Sequence, residues 1–204
     1  MIEKTLLEDA LEFATEKHHG QVRKMRHTPY ILHPMEVAVI ISTMTPSEET
    51  IAAGLLHDVV EDCDVDPLEI RARFGPRVAA LVASETEDKL STRPPEETWM
   101  ERKEESLLML YHTHDKDVYT LWLADKLSNI RSFYREWLQV GHQVWSHLHQ
   151  KDPSIQAWYY RTIEAYLKKD MSDTAAYIEY CHLVDTIFEG IDSPVSLIPN
   201  DEKE

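Results

Sequence analysis

The chain has only two cysteines, Cys63 and Cys181, in 204 residues. Their wide separation excludes a close-spaced cysteine metal motif and a disulfide-stapled scaffold, and fits reduced thiols in the cytosol. Glycine is also scarce. Five glycines, with 43% hydrophobic and 28% charged residues, leave a globular helical protein as the default. No apolar run approaches the roughly 20 residues that a bilayer-crossing helix needs. The N-terminal MIEKTLLEDALEF is acidic and amphipathic, which excludes a secretory signal, so a soluble cytoplasmic protein is expected. Positive charge is the last shortage: 21 Lys and Arg stand against 37 Asp and Glu, a formal net charge of -16. That argues against nucleic acid or an anionic membrane as a general partner. A small anionic substrate stays open, because a local basic patch or a bound metal can reverse the field inside one cleft.

What is present is helical signal. Leu6, Leu7, Ala10, Leu11, Phe13 and Ala14 recur at helical spacing over residues 2–19, and Gly20 is a stop. Residues 20–32, GQVRKMRHTPYIL, read as a basic loop interrupted by Pro29. Pro34 opens a second helix through about Met44. TPSEET offers cap chemistry for a third, from about Glu48 to Cys63. Asp66, Pro67 and Glu69 repeat the start signal, and Gly75-Pro76 ends a short helix and opens another. The polar stretch SETEDKLSTRPPEETW reads as a loop leading into a helix near Glu96. Residues 112–116 form a turn. DVYTLWLADKLSNIRSFYREWL is the longest helical run and is apolar on more than one side, which predicts a central buried helix. Pro153 starts a further helix, and residues 173–189 form the last, ending at Gly190. With no alternating strand pattern and no internal repeat, the fold class is all-α. One helical bundle domain over residues 1–190 and a flexible tail over 191–204 are expected.

One stretch of the third helix is anomalous. In LLHDVVED, residues 55–62, the apolar stripe Leu55, Leu56, Val59 and Val60 is interrupted by His57, Asp58, Glu61 and Asp62. Residues four apart share a helix face, so His57 sits beneath Glu61 and Asp58 beneath Asp62. His57 and Asp58 are neighbours, about 100° apart around the axis. Imidazole and carboxylate are both good ligands for a first-row divalent metal. Glu61 and Asp62, one turn on, are placed to orient or deprotonate a water beside such an ion. On this stretch alone a second reading stands equally: His-Asp dipeptides are common, and acids near a helix end are often simply solvated.

Two further stretches bear on the choice. YILHPMEVA puts His33 at the start of an apolar helix, and LWLADKLSNIR puts Asp125 and Asn129 four apart inside the central one. A lone carboxylate after LWLA is costly unless it is paired or bound to metal. His33, His57, Asp58 and Asp125 together make a set of two histidines and two carboxylates from three helices. In order along the chain, GQVRK…TPYILHP, TIAAGLLHDVVED, FGPRVAALV and LADKLSNIR resemble the HD-domain phosphohydrolases. Within them they are most similar to the alarmone hydrolase branch of the RelA/SpoT proteins. The resemblance covers about residues 8–135.

The resemblance implies a single HD-domain helical bundle, with a phosphohydrolase domain and a C-terminal helical extension inside residues 1–190. The length leaves no room for a synthetase domain, so a small stand-alone hydrolase is expected. Carried over position by position, His33, His57, Asp58 and Asp125 would ligate one metal, Mn2+ in this family. Glu61 and Asp62 match the residues that position and activate the nucleophile. Asn129 matches a residue at the ribose and the scissile phosphate. Arg23 and Lys24 match positions that meet the nucleotide, Arg23 by stacking on guanine and Lys24 by meeting charge. Arg131 and Ser132 are expected as further contacts. The implied reaction is hydrolysis of the 3′-pyrophosphate of guanosine tetra- or pentaphosphate, giving GDP or GTP plus pyrophosphate. Two stretches depart from the pattern: ASETEDK, where a Gly-Val-Thr-type segment followed by acids and Lys is usual, and the residues after Arg131.

Elsewhere plain readings apply. His142, His147 and His149 lack the i, i+4 pairing of a helical zinc site, so no second metal is expected there. His18, His19, His112 and His114 are expected on the surface. Trp122, Trp137, Trp145 and Trp158 read as packing aromatics, with Tyr159 or Tyr160 at a pocket edge. Taken without their neighbours, Arg23 and Lys24 read as solvated charges. Two other functions remain open: an HD-type nucleotide phosphatase acting on the 2′-phosphate of NADPH or on nucleoside monophosphates, and an inactive nucleotide-binding module. The C-terminal third reads either as a dimer surface of a homo-oligomer or as a lid.

Overall fold

The computed structural model describes residues 4–23, 27–87 and 92–194. Thr5 starts α1 (Leu6–Lys17) with a capping box: its hydroxyl accepts the Glu8 N–H, and the Glu8 carboxylate accepts the Thr5 N–H. α2 (Leu32–Ser42) begins two residues before Pro34, so His33 lies inside its first turn. α3 (Glu48–Leu56) is capped by Ser47 but stops short of the expected end at Cys63. The break falls at His57-Asp58, where Asp58 has φ -93° and ψ -7°, and α4 (Val59–Asp62) resumes beyond it. The cause is local. The Gly54 carbonyl, which a continued helix would give to the Asp58 N–H, lies 2.9 Å from His57 Nδ1. Asp62 N–H still reaches the Asp58 carbonyl at 2.8 Å, so these two carboxylates stay one turn apart.

Asp66 caps α5 (Pro67–Glu85), which kinks at Gly75. There φ is 91°, a region that glycine occupies without steric cost, so Gly75-Pro76 separates two helical pieces as expected. α6 (Pro95–His112) and α7 (Lys116–Val140) flank a short turn, with Asp115 capping α7. α7 is central: it packs on α2, α3, α5, α8 and α9, and every residue from Val118 to Ser128 is buried. A 3₁₀ segment, Gly141–His147, leads to α8 (Pro153–Met171) and α9 (Ala175–Ile187), which pack on each other and on α7. The described residues contain no strand, only an isolated bridge between Val22 and Pro29, and the fold is all-α. No described helix is long and apolar enough to cross a membrane.

Trp122, Trp145 and Trp158 are buried and Trp137 half-buried. His19, His112 and His114 are exposed, but His18 is not. The end of α1 tucks under the following loop, where the His18 ring lies against Tyr30 with centroids 4.9 Å apart. Its Nδ1 is 2.8 Å from Gln21 Oε1 and 3.3 Å from Cys63 Sγ, so the expected surface histidine is a buried one.

Gly54 marks the crossing of α2 and α3. A Cβ there would stand 2.5 Å from Ile41 Cδ1 and 3.4 Å from Ala38 Cα. Gly54→Val is therefore expected to destabilise the chain by about 2–3 kcal/mol through overpacking. In a thermal melt this lowers the midpoint by about 4–12 °C, and an unchanged midpoint would show that the two helices can part at little cost.

Candidate metal centre

Three helical regions bring the four expected residues close together. His33 comes from the first turn of α2, His57 and Asp58 from the break after α3, and Asp125 from the middle of α7. His33 Nε2 lies 3.0 Å from Asp125 Oδ1 and 3.6 Å from Asp58 Oδ2. His57 Nε2 lies 3.0 Å from Asp58 Oδ2 and 3.5 Å from Asp125 Oδ1. The ligand atoms of His33, His57 and Asp58 all fall within 4.8 Å of one another. Both rings are oriented from behind. His33 Nδ1 is 2.8 Å from Ser128 Oγ, and His57 Nδ1 is on the Gly54 carbonyl, so each Nε2 faces the centre.

The carboxylates are held as firmly. The Tyr30 hydroxyl donates to Asp58 Oδ2 at 2.8 Å, and Asn129 Nδ2 donates to Asp125 Oδ1 at 2.8 Å. Lys126 Nζ lies 2.5 Å from Asp125 Oδ2 and 3.2 Å from Glu85 Oε2, over the Trp122 ring. The carboxylate that would be costly alone after LWLA is thus paired.

Electrostatics draws positive charge into this point. Burial works against the His57 imidazolium, but the carboxylates of Asp58 and Asp125 hold its pKa well above the ordinary value. At His33 burial prevails over the same carboxylates and the pKa falls. Burial also opposes ionised Asp58 and Asp125. His57 at Asp58, and Lys126 with both histidines at Asp125, nevertheless pull them below the usual carboxylate range. His57 Nε2 is buried yet makes no hydrogen bond among the described residues. An orphaned imidazole nitrogen aimed between two ionised carboxylates is satisfied by a cation, and the donor set fits one divalent metal.

A cavity of about 180 Å³ lies over the centre, with Glu61, Asp62 and Asn129 in its wall beside His33, Asp58 and Asp125. Glu61 Oε2 accepts the Glu87 N–H at 3.3 Å. Burial first, and then the charge of Glu87, pushes the Glu61 pKa up. A second cavity of about 860 Å³ shares Tyr30, Glu61, Asp62 and Arg102 with the first. Arg23 and Ser132 line this larger space. Arg23 Nη2 donates to Asn129 Oδ1 at 3.0 Å and to Ser132 Oγ at 3.4 Å, with the guanidinium 5.6 Å from the Tyr30 ring centre.

Not every expected residue arrives. Arg131 is in neither wall: it takes Glu179 through two contacts of 2.6 Å and Glu36 at 3.1 Å, tying α7 to α9 and α2. Its donors are engaged in helix packing, so Arg131 is not among the residues this geometry brings to the cavities. Lys24 lies outside the described residues. Tyr159 and Tyr160 line neither cavity. Three features escaped sequence reasoning. Lys126 and Glu85 form a buried pair, and only the adjacency of Asp125 and Lys126 in an apolar run hinted at it. Arg102 lies hidden among the alternating charges of ERKEE. His147 and His149, read only as an unpromising metal site, are in the wall of the large cavity.

Comparison with known proteins places this geometry in context. A family model described as "HD domain" matches residues 10–154. The guanosine-3′,5′-bis(diphosphate) 3′-pyrophosphohydrolase of Aquifex aeolicus is 40% identical over 128 residues, 63% of this chain and 18% of its own length. Its counterpart in Vibrio cholerae is 40% identical over 120 residues, 58% of this chain and 17% of its own length. The chain thus spans less than a fifth of these curated relatives. Among solved structures, a metazoan ortholog of SpoT that hydrolyzes ppGpp and plays a role in starvation responses aligns with a TM-score of 0.71 at 25% identity. That alignment covers 91% of this chain and 97% of the other. A protein of Listeria monocytogenes EGD-e aligns with a TM-score of 0.67 at 35% identity, over 76% of this chain and 98% of the other.

Proposed function

Since the chain belongs to the HD domain family, we propose that it hydrolyses the 3′-pyrophosphate of guanosine tetra- and pentaphosphate, yielding GDP or GTP and pyrophosphate. The observation that carries this reading is the tether from Arg23, in the wall of the large cavity, to Asn129, which itself holds Asp125 of the His/Asp centre. It links a nucleotide-sized space to the place where phosphorus chemistry would occur. The activities named for the Aquifex, Vibrio and metazoan relatives support the same reaction. His33, His57, Asp58 and Asp125 are proposed to hold one Mn2+. When bound, the ion supplies positive charge to phosphoryl oxygens and makes a neighbouring water easier to deprotonate.

The chain's own groups then divide the work. Asp62 orients the attacking water and Glu61 takes its proton. The water oxygen bonds to the phosphorus next to the ribose 3′-oxygen, the bond from that phosphorus to the 3′-oxygen breaks, and the 3′-oxygen takes up a proton. Asn129 positions the ribose and scissile phosphate. Arg23, steadied by Asn129, Ser132 and Tyr30, stacks on the base and offsets local negative charge in an acidic protein. Ser132 completes that contact, and Lys24 is proposed to meet the nucleotide's phosphates. We place the enzyme in the cytoplasm, where Cys63 and Cys181 stay reduced.

Product analysis tests the reading. The purified protein with Mn2+ is incubated separately with guanosine tetraphosphate and with NADPH, and pyrophosphate is followed against orthophosphate. Pyrophosphate from the guanosine compound alone is expected. Orthophosphate from NADPH alone would keep the centre and move the substrate, and no release from either would overturn the hydrolase reading.

A further inference from the structure

Arg102 stands where the two cavities meet. Among the described residues it is the one cation in both walls: Arg23 lines only the large cavity, and Lys103 and Lys126 only the small one. Its side chain is 12% exposed and is fixed from one side, Nη1 to Glu87 Oε2 at 2.9 Å and Nε to Thr98 Oγ1 at 3.3 Å. Nη2 makes no hydrogen bond among the described residues. Glu87 does not belong to Arg102 alone, since Lys103 Nζ reaches its other oxygen at 2.6 Å and the Ser106 hydroxyl donates to it at 3.0 Å. One carboxylate therefore faces two cations, and the cluster carries a surplus positive charge beside Glu61 and Asp62. A guanidinium already oriented by a carboxylate loses little freedom on binding, and its donor fork matches a phosphoryl group.

We infer that Arg102 receives the outer phosphoryl group of the diphosphate whose inner phosphorus reacts at the His/Asp centre, and so selects diphosphate over monophosphate esters. The inference rests on the proposed reaction and adds its specificity element. With the reacting group over the ligands in the smaller cavity, the next phosphoryl group falls at the junction, where Arg102 offers Nη2. Glu87, which comes from the ASETEDK departure, is the positioning residue that aims it.

The test measures inorganic pyrophosphate and orthophosphate binding to the full chain at fixed Mn2+, by calorimetry, alongside turnover of guanosine tetraphosphate. The wild type is expected to prefer pyrophosphate. Arg102→Gln is expected to weaken pyrophosphate about 10- to 100-fold, the range for a lost charge-assisted contact, while orthophosphate changes by less than about threefold. Mn2+ affinity should stay unchanged, which reports an intact centre. Should the glutamine variant not fold, Arg102→Lys decides: it keeps the charge but not the fork, and should lose about fivefold for pyrophosphate alone. Unchanged pyrophosphate binding, or a parallel loss of both anions, overturns the inference. Failure of the wild type to turn over guanosine tetraphosphate, with the pyrophosphate result intact, would instead remove the nucleotide assignment and keep Arg102.

Discussion

Asp58→Ala is expected to abolish metal retention and turnover together. Asp58 Oδ2 lies 3.0 Å from His57 Nε2 and 3.6 Å from His33 Nε2, and Asp125 Oδ1 lies 3.5 Å and 3.0 Å from the same two atoms. Removing it leaves two imidazoles with one carboxylate, and half of the negative charge that offsets a divalent ion is gone. Losing an outer-shell partner of a metal site already weakens binding about 10- to 100-fold, so losing a ligand should exceed 100-fold. The variant should fold, because Asp58 occupies the break between α3 and α4 and its side chain keeps 18% exposure. Melting with and without Mn2+ separates the two effects. At a metal concentration of about one hundred times Kd the wild type gains about 2.7 kcal/mol. That raises its midpoint by about 5–11 °C, and Asp58→Ala should show almost none of the rise. A variant that keeps the full metal-dependent rise would remove Asp58 from the ligand set.

How far this cluster of side chains could be read from the chain has a physical basis, and so do the failures. Asp125 was legible because a carboxylate inside LWLADKL has no cheap explanation: burial without a partner is too costly to be accidental. His33 was legible from its place at the head of an apolar helix, although that helix starts at Leu32 and not at Pro34. The break at His57-Asp58 was not, since it depends on an imidazole reaching back to the Gly54 carbonyl, and residue spacing alone predicts a continuous helix. Spacing still gave Asp58 and Asp62 as neighbours, because the hydrogen bond between them keeps one turn just after the break. The misjudged surface position of His18 and the place of Arg131 away from both cavities share a cause. Each makes contacts with residues distant in sequence, Tyr30 and Cys63 for the first, Glu36 and Glu179 for the second. Arg102 was illegible for the same reason: on a charged helix face nothing marks the one arginine whose neighbour Glu87 turns it toward a cavity.

Glu61→Gln should separate chemistry from metal holding. The proposed ligand atoms belong to other residues, and Glu61 stands in the cavity wall with its carboxylate on the Glu87 N–H, so Mn2+ affinity should not change. Glutamine has nearly the same shape and its amide oxygen can still accept that N–H, which keeps the wall in place. What it cannot do is take a proton from water at neutral pH. Loss of a general base lowers kcat by about 10²–10⁴, and KM should stay within about threefold because no substrate contact is removed. The pH profile gives an independent readout. A base works only when deprotonated, so wild-type activity should fall as pH drops through the Glu61 pKa. Burial and the neighbouring Glu87 place that acidic limb above the ordinary glutamate range. In Glu61→Gln the limb governed by this group should vanish, leaving a low and flatter rate. Full activity in the variant would assign the proton to Asp62 instead, the remaining carboxylate one turn from Asp58, and Asp62→Asn would then carry the loss.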